Sequence, residues 1–483
     1  MTGTIFLTTT LPYVNAAPHV GFALEAVQAD VLARHHRRRG REVRLLTGTD
    51  DNSLKNLLAA EAAGLPVQEF VDRNAAAFEA LREPLSLTFD DFIRTSTDPR
   101  HRAGVERLWR DCAADIYRST YEGLYCVGCE HYLTDTTTCP DHEAPPQRVA
   151  EENWFFRLSR YAEPLREAIT SGRLVIEPPA RRNEVLALID GGLRDFSISR
   201  SRERARGWGI EVPGDPGQVV YVWWDALGNY VTSLGYGTGG AAYEKWWGSG
   251  DGRRVHLAGK GVLRFHAVYW PALLLSAGLP LPTEILVHDY LTVDGRKISK
   301  SAGNGAEPAD LAARYGTDAL RWWLLREVPQ TGDADFTVER LVARANEDLA
   351  GGAGNLVSRV VTLLGKLGGA VPGGEPLPVC AGVPSAVDSA LAGFDFRRAA
   401  AGVWTIVEEA NRYLEQTRPW ELLRDGDTGA AGILGRLLAT CRVLGRELEP
   451  FVPDLAAKIS HQCTPAGGTL PPLRPVYPRL AVE

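Results

Sequence analysis

Apolar positions appear first as a short continuous run, Ile5 to Leu11, then at helical spacing in Val20, Leu24, Val27 and Val31, and then as a second short run from Val43 to Thr47. Short continuous runs read as strands buried on both faces, and the 3.6-residue spacing between them reads as a helix packed on one side. Strand, helix, strand is the opening of a parallel α/β sheet of the nucleotide-binding kind. Near Tyr121 the texture changes to a Thr-rich segment bearing cysteines. Apolar α/β patterning resumes around Val219 and continues through His256 to Gly278 and Ile285 to Val293, completing the sheet. Beyond Phe336 the pattern is helical, broken by the Gly/Pro-rich stretch Gly368 to Pro384. The proline-rich tail from Thr464 is expected to wrap back over the body, and Gly235 to Gly240 and Gly248 to Gly252 read as flexible loops. The fold class is therefore α/β. Residues 1–115 and 216–335 are expected to form the two halves of a Rossmann-like parallel-sheet domain, 116–215 an inserted connective domain, and 336–483 an α-helical bundle.

Two short motifs carry the chemistry. Pro18-His19-Val20-Gly21-Phe22 follows the first strand and opens the first helix, so His19 lies near a helix N-terminus. Unpaired N–H groups and the positive end of the helix dipole favour an anion there, and Gly21 permits close approach of a nucleotide. Lys297-Ile298-Ser299-Lys300-Ser301 follows Asp294-Gly295, a dipeptide that predicts a tight hairpin. Its lysines would meet a polyphosphate from the other side. Together the motifs point to ATP.

Composition narrows the class. The chain has 483 residues, 45% hydrophobic and 23% charged, which suits a globular protein of several domains. No apolar stretch approaches membrane-spanning length and no targeting segment precedes the first strand, so a cytoplasmic protein without membrane association is expected. A net charge of −7 argues against a chain coated in positive charge but leaves room for a local basic face that meets nucleic acid. The basic run Arg34 to Arg41 reads as the C-terminal end of the first helix, where cations complement the dipole and Gly40 terminates it. Methionine occurs only at position 1, a scarcity with no evident physical cause.

Cys126-Val127-Gly128-Cys129 and Cys139-Pro140-Asp141-His142 form a pair of knuckles. Each puts two soft or borderline ligands on one tight turn. A Cys₃His set fills a tetrahedron and leaves no position for reactive water, so one structural zinc per chain is expected.

The two motifs resemble the HIGH and KMSKS signatures of class I aminoacyl-tRNA synthetases, and the sequence between and around them resembles methionyl-tRNA synthetases over nearly the whole chain. The resemblance implies adenylation of methionine and its transfer to the 3′ end of tRNA(Met). His19, Lys297 and Lys300 would be the catalytic residues, with His19, Gly21, Lys297, Ser299 and Lys300 binding ATP and Mg²⁺ accompanying it. The Cys/Cys/Cys/His order matches the single zinc knuckle of many bacterial members. Leu11, Tyr13, Trp223, Ala226, Leu227, Tyr230, Phe265, His266 and Trp270 fall where the family lines its methionine side-chain pocket. On their own such aromatic segments are more often packing than pocket, but polarizable sulfur against aromatic rings is favourable. Asp50 falls where a carboxylate holds the substrate ammonium. Asn355, Arg359 and Trp420 fall where the family reads the CAU anticodon, which makes 336–483 an anticodon-binding-like domain. A monomer is expected.

The chain departs from the pattern around the nucleotide. The second HIGH histidine is Phe22, the family's Asp-Glu-His-Gly is Asp50-Asp51-Asn52-Ser53, and its Gly-Lys-Asp is Gly259-Lys260-Gly261, which lacks the carboxylate that contacts the ATP ribose. Loss of one transition-state donor typically costs a factor of about 10²–10³, so a weakened adenylation step and a diverged second copy are expected. Gly351-Gly352-Ala353-Gly354, just before Asn355, is a further oddity, since each helical glycine costs roughly 1 kcal/mol relative to alanine, and a break or kink there would re-aim the residues that follow. Two other readings fit such changes: an amino-acid-activating enzyme of specialised metabolism that passes the acyl group to a small acceptor, as in N–N bond formation, and a non-catalytic tRNA-binding paralogue.

Overall fold

The computed structural model describes residues 3–126, 131–133, 138, 145–293, 295–298, 306–368 and 371–482. Contacts divide the chain into two units: Met1–Pro18, His36–Ala80 and Thr88–His288 in the first, and His19–His35, Leu81–Leu87 and Asp289–Glu483 in the second. Among the described residues, no helix is long and apolar enough to cross a membrane.

The first unit is built on a parallel sheet. Its strands are β1 (Thr4–Thr8), β2 (Glu42–Thr49), β3 (Asp91–Arg94), β4 (Val175–Glu177), β5 (Arg253–Gly259) and β6 (Glu284–His288), in the spatial order β3-β2-β1-β5-β6-β4. All neighbours pair in parallel. Ile5, Phe6, Leu7, Leu45 and Leu46 are buried, as strands covered on both faces require. The chain runs from β1 through α1 (Val20–Arg38) into β2, then through β3 to α2 (Pro99–Asp111). β1 has β2 on one side and β5 on the other, so the strand order reverses there. That reversal opens a crevice beyond the strands' C-terminal ends.

Within 116–215 lies an antiparallel sheet of Ile116–Cys126, His131–Leu133, Gln147–Phe156 and Phe196–Ser197, followed by a smaller one of Ser199–Ser201, Glu211–Val212 and Asp215–Val220. The same interval also supplies β4, which pairs with β6 at the edge of the parallel sheet. The chain then enters α3 (Val222–Thr232), whose Trp224, Leu227 and Tyr230 join Phe6, Leu46, Ile93 and Trp270 in the core.

The second unit holds most of α1, a small sheet and the helices α4 (Asn355–Leu367), α5 (Phe396–Thr417), α6 (Pro419–Arg424), α7 (Gly429–Leu448) and α8 (Pro453–Cys463). The apolar signal Ile285 to Val293 splits here. Its first part is β6, whereas Leu291–Val293 pairs antiparallel with Arg296–Lys297 and in parallel with Ala334–Asp335. Val293 pairs with Arg296, and Gly295 takes a positive φ, +68°, of the kind a tight connection between such strands needs. The basic end of α1 is structural: Arg34 pairs with Asp30 and Glu449, His35 lies 3.0 Å from Asp388, and Gly40 (φ +74°) closes the helix on the Arg37 carbonyl.

No break occurs at Gly351–Gly354. Ala345–Gly354 is instead a wide i→i+5 helix that runs on into α4, with the Asn355 N–H on the Ala350 carbonyl. Close packing explains a glycine here, since a Cβ on Gly352 would stand 2.6 Å from Cζ2 of Trp404. The proline-rich tail returns to this helix: the Asn346 amide donates to the Leu480 carbonyl (2.9 Å) and accepts from its N–H (2.8 Å).

Candidate active site

A cavity of about 210 Å³ opens in the first unit at the sheet's switch point. Thr10, Leu11, Pro12 and Tyr13, which follow β1, form one wall; Trp223, Ala226, Leu227, Asn229 and Tyr230 of α3 form another; Val262 and His266, beyond β5, close it. The apolar run that reads as one strand from Ile5 to Leu11 leaves the sheet after Thr8, and its last residues become lining. The volume exceeds the ~150 Å³ cavity that holds a benzene ring, so an unbranched four-atom side chain fits.

Of the residues expected in the pocket, Leu11, Tyr13, Trp223, Ala226, Leu227, Tyr230 and His266 line this cavity. Phe265 lies beneath, its ring stacked on Trp223 with centroids 3.7 Å apart and planes 5° from parallel. Tyr13 meets Trp223 edge-on at 6.3 Å. Trp270 is fully buried and stands a layer back. The lining also includes Thr10, Pro12, Asn229 and Val262, which sequence reasoning did not nominate. The positions of Thr10, Pro12 and Val262 just past β1 and β5 were the available signal, because ligands of open parallel sheets bind outside the strand ends at the reversal.

Two histidines are held in single tautomers. His266 Nδ1 lies 3.0 Å from the Val262 carbonyl, which only accepts, so Nδ1 carries the proton. Nε2 then accepts from the Tyr230 hydroxyl at 2.8 Å. Behind Tyr230, His256 is completely buried; its Nε2 accepts from the Trp270 indole N–H at 3.1 Å and its Nδ1 donates to Thr8 Oγ1 at 2.6 Å. A second proton on Nε2 would face the indole N–H. Burial therefore holds the His256 pKa well below the ordinary histidine value, aided by His266 and Arg254 nearby. No sequence signal marked His256.

Asp50 ends the run of β2. It forms a parallel bridge with Tyr13, its N–H donates to the Pro12 carbonyl at 2.9 Å, and it is 1% exposed. The residues after it are fully used. Asp51 accepts from Thr49 (2.8 Å), Ser96 (2.6 Å) and Arg94 (2.8 and 3.0 Å). Burial nevertheless outweighs these partners and raises its pKa. Asn52 donates to Asp225 (2.8 Å) and to the Thr95 carbonyl (3.2 Å). Ser53 caps the helix Leu54–Ala62, accepting from the Lys55 N–H at 3.0 Å. Gly261 is exposed in the short turn Lys260–Val262 after β5.

In the second unit, His19 Nδ1 accepts from the Gly21 N–H at 3.1 Å, which leaves the imidazole proton on Nε2. The imidazole occupies the space a Cβ on Gly21 would need, 2.9 Å from His19 Cε1, so this glycine serves the histidine's fold-back. The Val20 N–H at the start of α1 donates to the Ala306 carbonyl at 3.1 Å. The far end of the lysine loop is thus fastened at the helix N-terminus that bears His19. Lys297 ends the hairpin and Ile298 is buried; Ser299 and Lys300 lie outside the described residues. Phe22 is half-buried on the first turn of α1.

Of the expected zinc ligands, Cys126 is buried at the end of its strand, in register with His131; Cys129, Cys139 and His142 lie outside the described residues. Among the described residues no group of three or more His, Cys, Asp or Glu side chains is arranged to hold a metal. A buried thiol closing a strand suits a ligand of a Cys₃His set.

In the helical part of the second unit, the Arg359 guanidinium lies 5.3 Å from the centre of the Trp420 ring and 2.7 Å from Glu415 Oε1. Trp420 is half-buried on α6, and Asn355 is exposed one turn before Arg359 on α4. A planar cation over an indole, next to an amide, makes a surface on which unpaired bases stack and hydrogen-bond.

Comparison with known proteins bears on both regions. The family model "tRNA synthetases class I (M)" matches residues 5–148 and 143–361, and "Anticodon binding domain of methionyl tRNA ligase" matches residues 384–471. The chain is 38% identical to the methionine–tRNA ligase of Caldanaerobacter subterraneus (96% of this chain, 74% of the relative) and 37% identical to that of Mycobacterium leprae (98% and 94%). It is similar to the solved structure of Mycobacterium tuberculosis methionyl-tRNA synthetase in complex with methionyl-adenylate, with a TM-score of 0.91 at 36% identity over 99% of this chain and 100% of that one. The apo form of that synthetase gives 0.85 at 33% identity over 100% and 99%.

Proposed function

The chain belongs to the methionyl-tRNA synthetase family of class I aminoacyl-tRNA synthetases, and from that membership we propose how its own residues carry out the activation of methionine and the charging of tRNA. The reaction joins methionine to AMP and then to tRNA. A methionine carboxylate oxygen attacks the α-phosphorus of ATP, the bond to the bridging oxygen breaks and pyrophosphate leaves. The terminal ribose hydroxyl of tRNA(Met) then displaces AMP from the methionyl carbonyl.

The observation that carries the assignment is the cavity at the switch point, a mostly apolar, aromatic slot whose wall residue Tyr13 is bridged to Asp50. The thioether lies among Tyr13, Trp223, Tyr230 and His266, and Asp50 holds the ammonium group. Hydrogen-bonded tautomers keep Tyr230 and His266 in one arrangement before the substrate arrives. His19 Nε2–H, Lys297, Ser299 and Lys300 address the phosphates and stabilise charge as it develops, with no covalent protein intermediate. Mg²⁺ would accompany ATP and offset the charge of its phosphates. Cys126, Cys129, Cys139 and His142 would hold one structural zinc, with no open position for chemistry; elemental analysis should find about one zinc per chain, and Cys126→Ser should lose it. Asn355, Arg359 and Trp420 read the anticodon of tRNA(Met), and the chain works as a cytoplasmic monomer.

Phe22 offers the phosphates no donor and Gly261 offers the ribose no acceptor. Phe22→His should therefore raise the exchange rate, and Gly261→Asp should lower the KM for ATP. Isothermal titration tests the pocket. Methionine should bind more tightly than leucine or glutamate, and Asp50→Ala should weaken it. Preference for a charged or much smaller amino acid would refute the assignment.

A further inference from the structure

Asn52 sits where the loop that carries Asp50 passes the helix that carries the pocket wall. Its side-chain amide donates to Asp225 Oδ2 at 2.8 Å and to the Thr95 carbonyl at 3.2 Å. Both of its N–H groups are thereby used inside the protein.

Asp225 is completely buried on α3, among Trp223, Ala226, Leu227 and Tyr230 of the cavity wall. Its other oxygen lies 2.8 Å from His101 Nε2, and His101 Nδ1 lies 2.8 Å from Thr232 Oγ1. His101, itself fully buried on α2, therefore spans two turns of α3 and fixes that helix from one side. Asn52 takes the second oxygen of the same carboxylate, and Asn52 follows Asp50 by only two residues. A buried carboxylate is kept in place by the donors that satisfy it, and losing one leaves its charge under-compensated.

We propose that Asn52 is a positioning residue for the amino acid: its amide ties the loop of Asp50 to α3 through Asp225, and so sets the distance between the ammonium partner and the side-chain pocket. It lies outside the lining of the cavity. The proposal rests on the methionine-binding reading of the same cavity.

Steady-state ATP–pyrophosphate exchange tests it. Asn52→Leu keeps the size and removes the donor; it should raise the KM for methionine about tenfold, with kcat and the KM for ATP changed less than twofold. Asn52→Asp, which sets one carboxylate against another across the 2.8 Å contact, should be worse. Combining Asn52→Asp with Asp225→Asn restores a donor and an acceptor of exchanged polarity, leaves an oxygen for His101, and should recover most of the methionine KM. A methionine KM within twofold of wild type in Asn52→Leu would overturn the proposal. So would equal rises for methionine and ATP, or a combined variant no better than Asn52→Asp. Absence of methionine-dependent exchange in the wild-type chain would instead remove the underlying reading, so the two failures are distinct.

Discussion

The cavity at the switch point and the Arg359–Trp420 surface are built on opposite principles. In the cavity wall and the layer behind it, Tyr230 with His266 and Trp270 with His256 are buried, hydrogen-bonded pairs that hold each histidine in one tautomer, so the shape is fixed during folding. On the helical surface, Arg359 is half-exposed and held by one ion pair to an exposed carboxylate and by the face of Trp420. Exposed pairs of that kind contribute about 0–1 kcal/mol and exchange readily. A small ligand whose competitors differ by a methylene requires a preset slot, because such a difference is worth only about 1–3 kcal/mol in an apolar pocket. Unpaired bases of a large partner can be met by planar groups that trade an internal contact for a base.

The comparison breaks if pocket variants behave like surface variants. His266→Ala leaves the buried Tyr230 hydroxyl without its acceptor, which costs about 1–3 kcal/mol and should raise the KM for methionine by up to about 10², lowering exchange and charging together. The second unit has a buried polar group of the opposite character. Asp318 accepts from the Leu455 N–H at 2.5 Å, while its other oxygen has no partner among the described residues. Burial raises its pKa to about 6 from 3.8, with Asp454 adding to the effect. Because the folded state holds this proton more tightly, stability is fully present below about pH 4 and is lost as pH rises to about 6. The loss is on the order of 2–3 kcal/mol. Asp318→Asn should therefore melt higher than wild type at pH 7 and alike at pH 4.

Smaller effects belong to the surface. Trp420→Ala removes a stacking platform worth about 1–3 kcal/mol per base, so charging should fall about tenfold through the KM for tRNA while methionine-dependent exchange stays unchanged. Glu415→Gln frees Arg359 from its ion pair and should change charging by less than about fivefold, with the difference vanishing at high salt.

The parallel sheet was legible because its strands are continuous apolar runs and its first helix has a clean period. The three-residue β4 was not, since Val175–Glu177 carries too little pattern to separate it from the surrounding insertion. The split after His288 was also hidden, because Leu291–Val293 is as apolar as β6 and only tertiary pairing assigns it elsewhere. Residue spacing alone did not distinguish pocket from packing among the aromatics: Trp223 lines the cavity and Trp270 backs it, although both stand in similar Trp-rich segments. Glycines at 351–354 suggested a break because helix propensity counts their entropy and misses the Trp404 ring that requires Gly352. Asn52 and Ser53 look like losses beside the family pattern, yet in the structure one holds Asp225 and the other caps a helix.

The most direct test of the account measures methionine-dependent ATP–pyrophosphate exchange and the charging of tRNA(Met) side by side on the same wild-type preparation. Both activities should be present, with methionine preferred among the amino acids and charging dependent on an intact CAU anticodon. Exchange without charging would contradict the account and point to a small acceptor in place of tRNA, and absence of both would mean that Phe22 and Gly261 mark a site that no longer activates an amino acid.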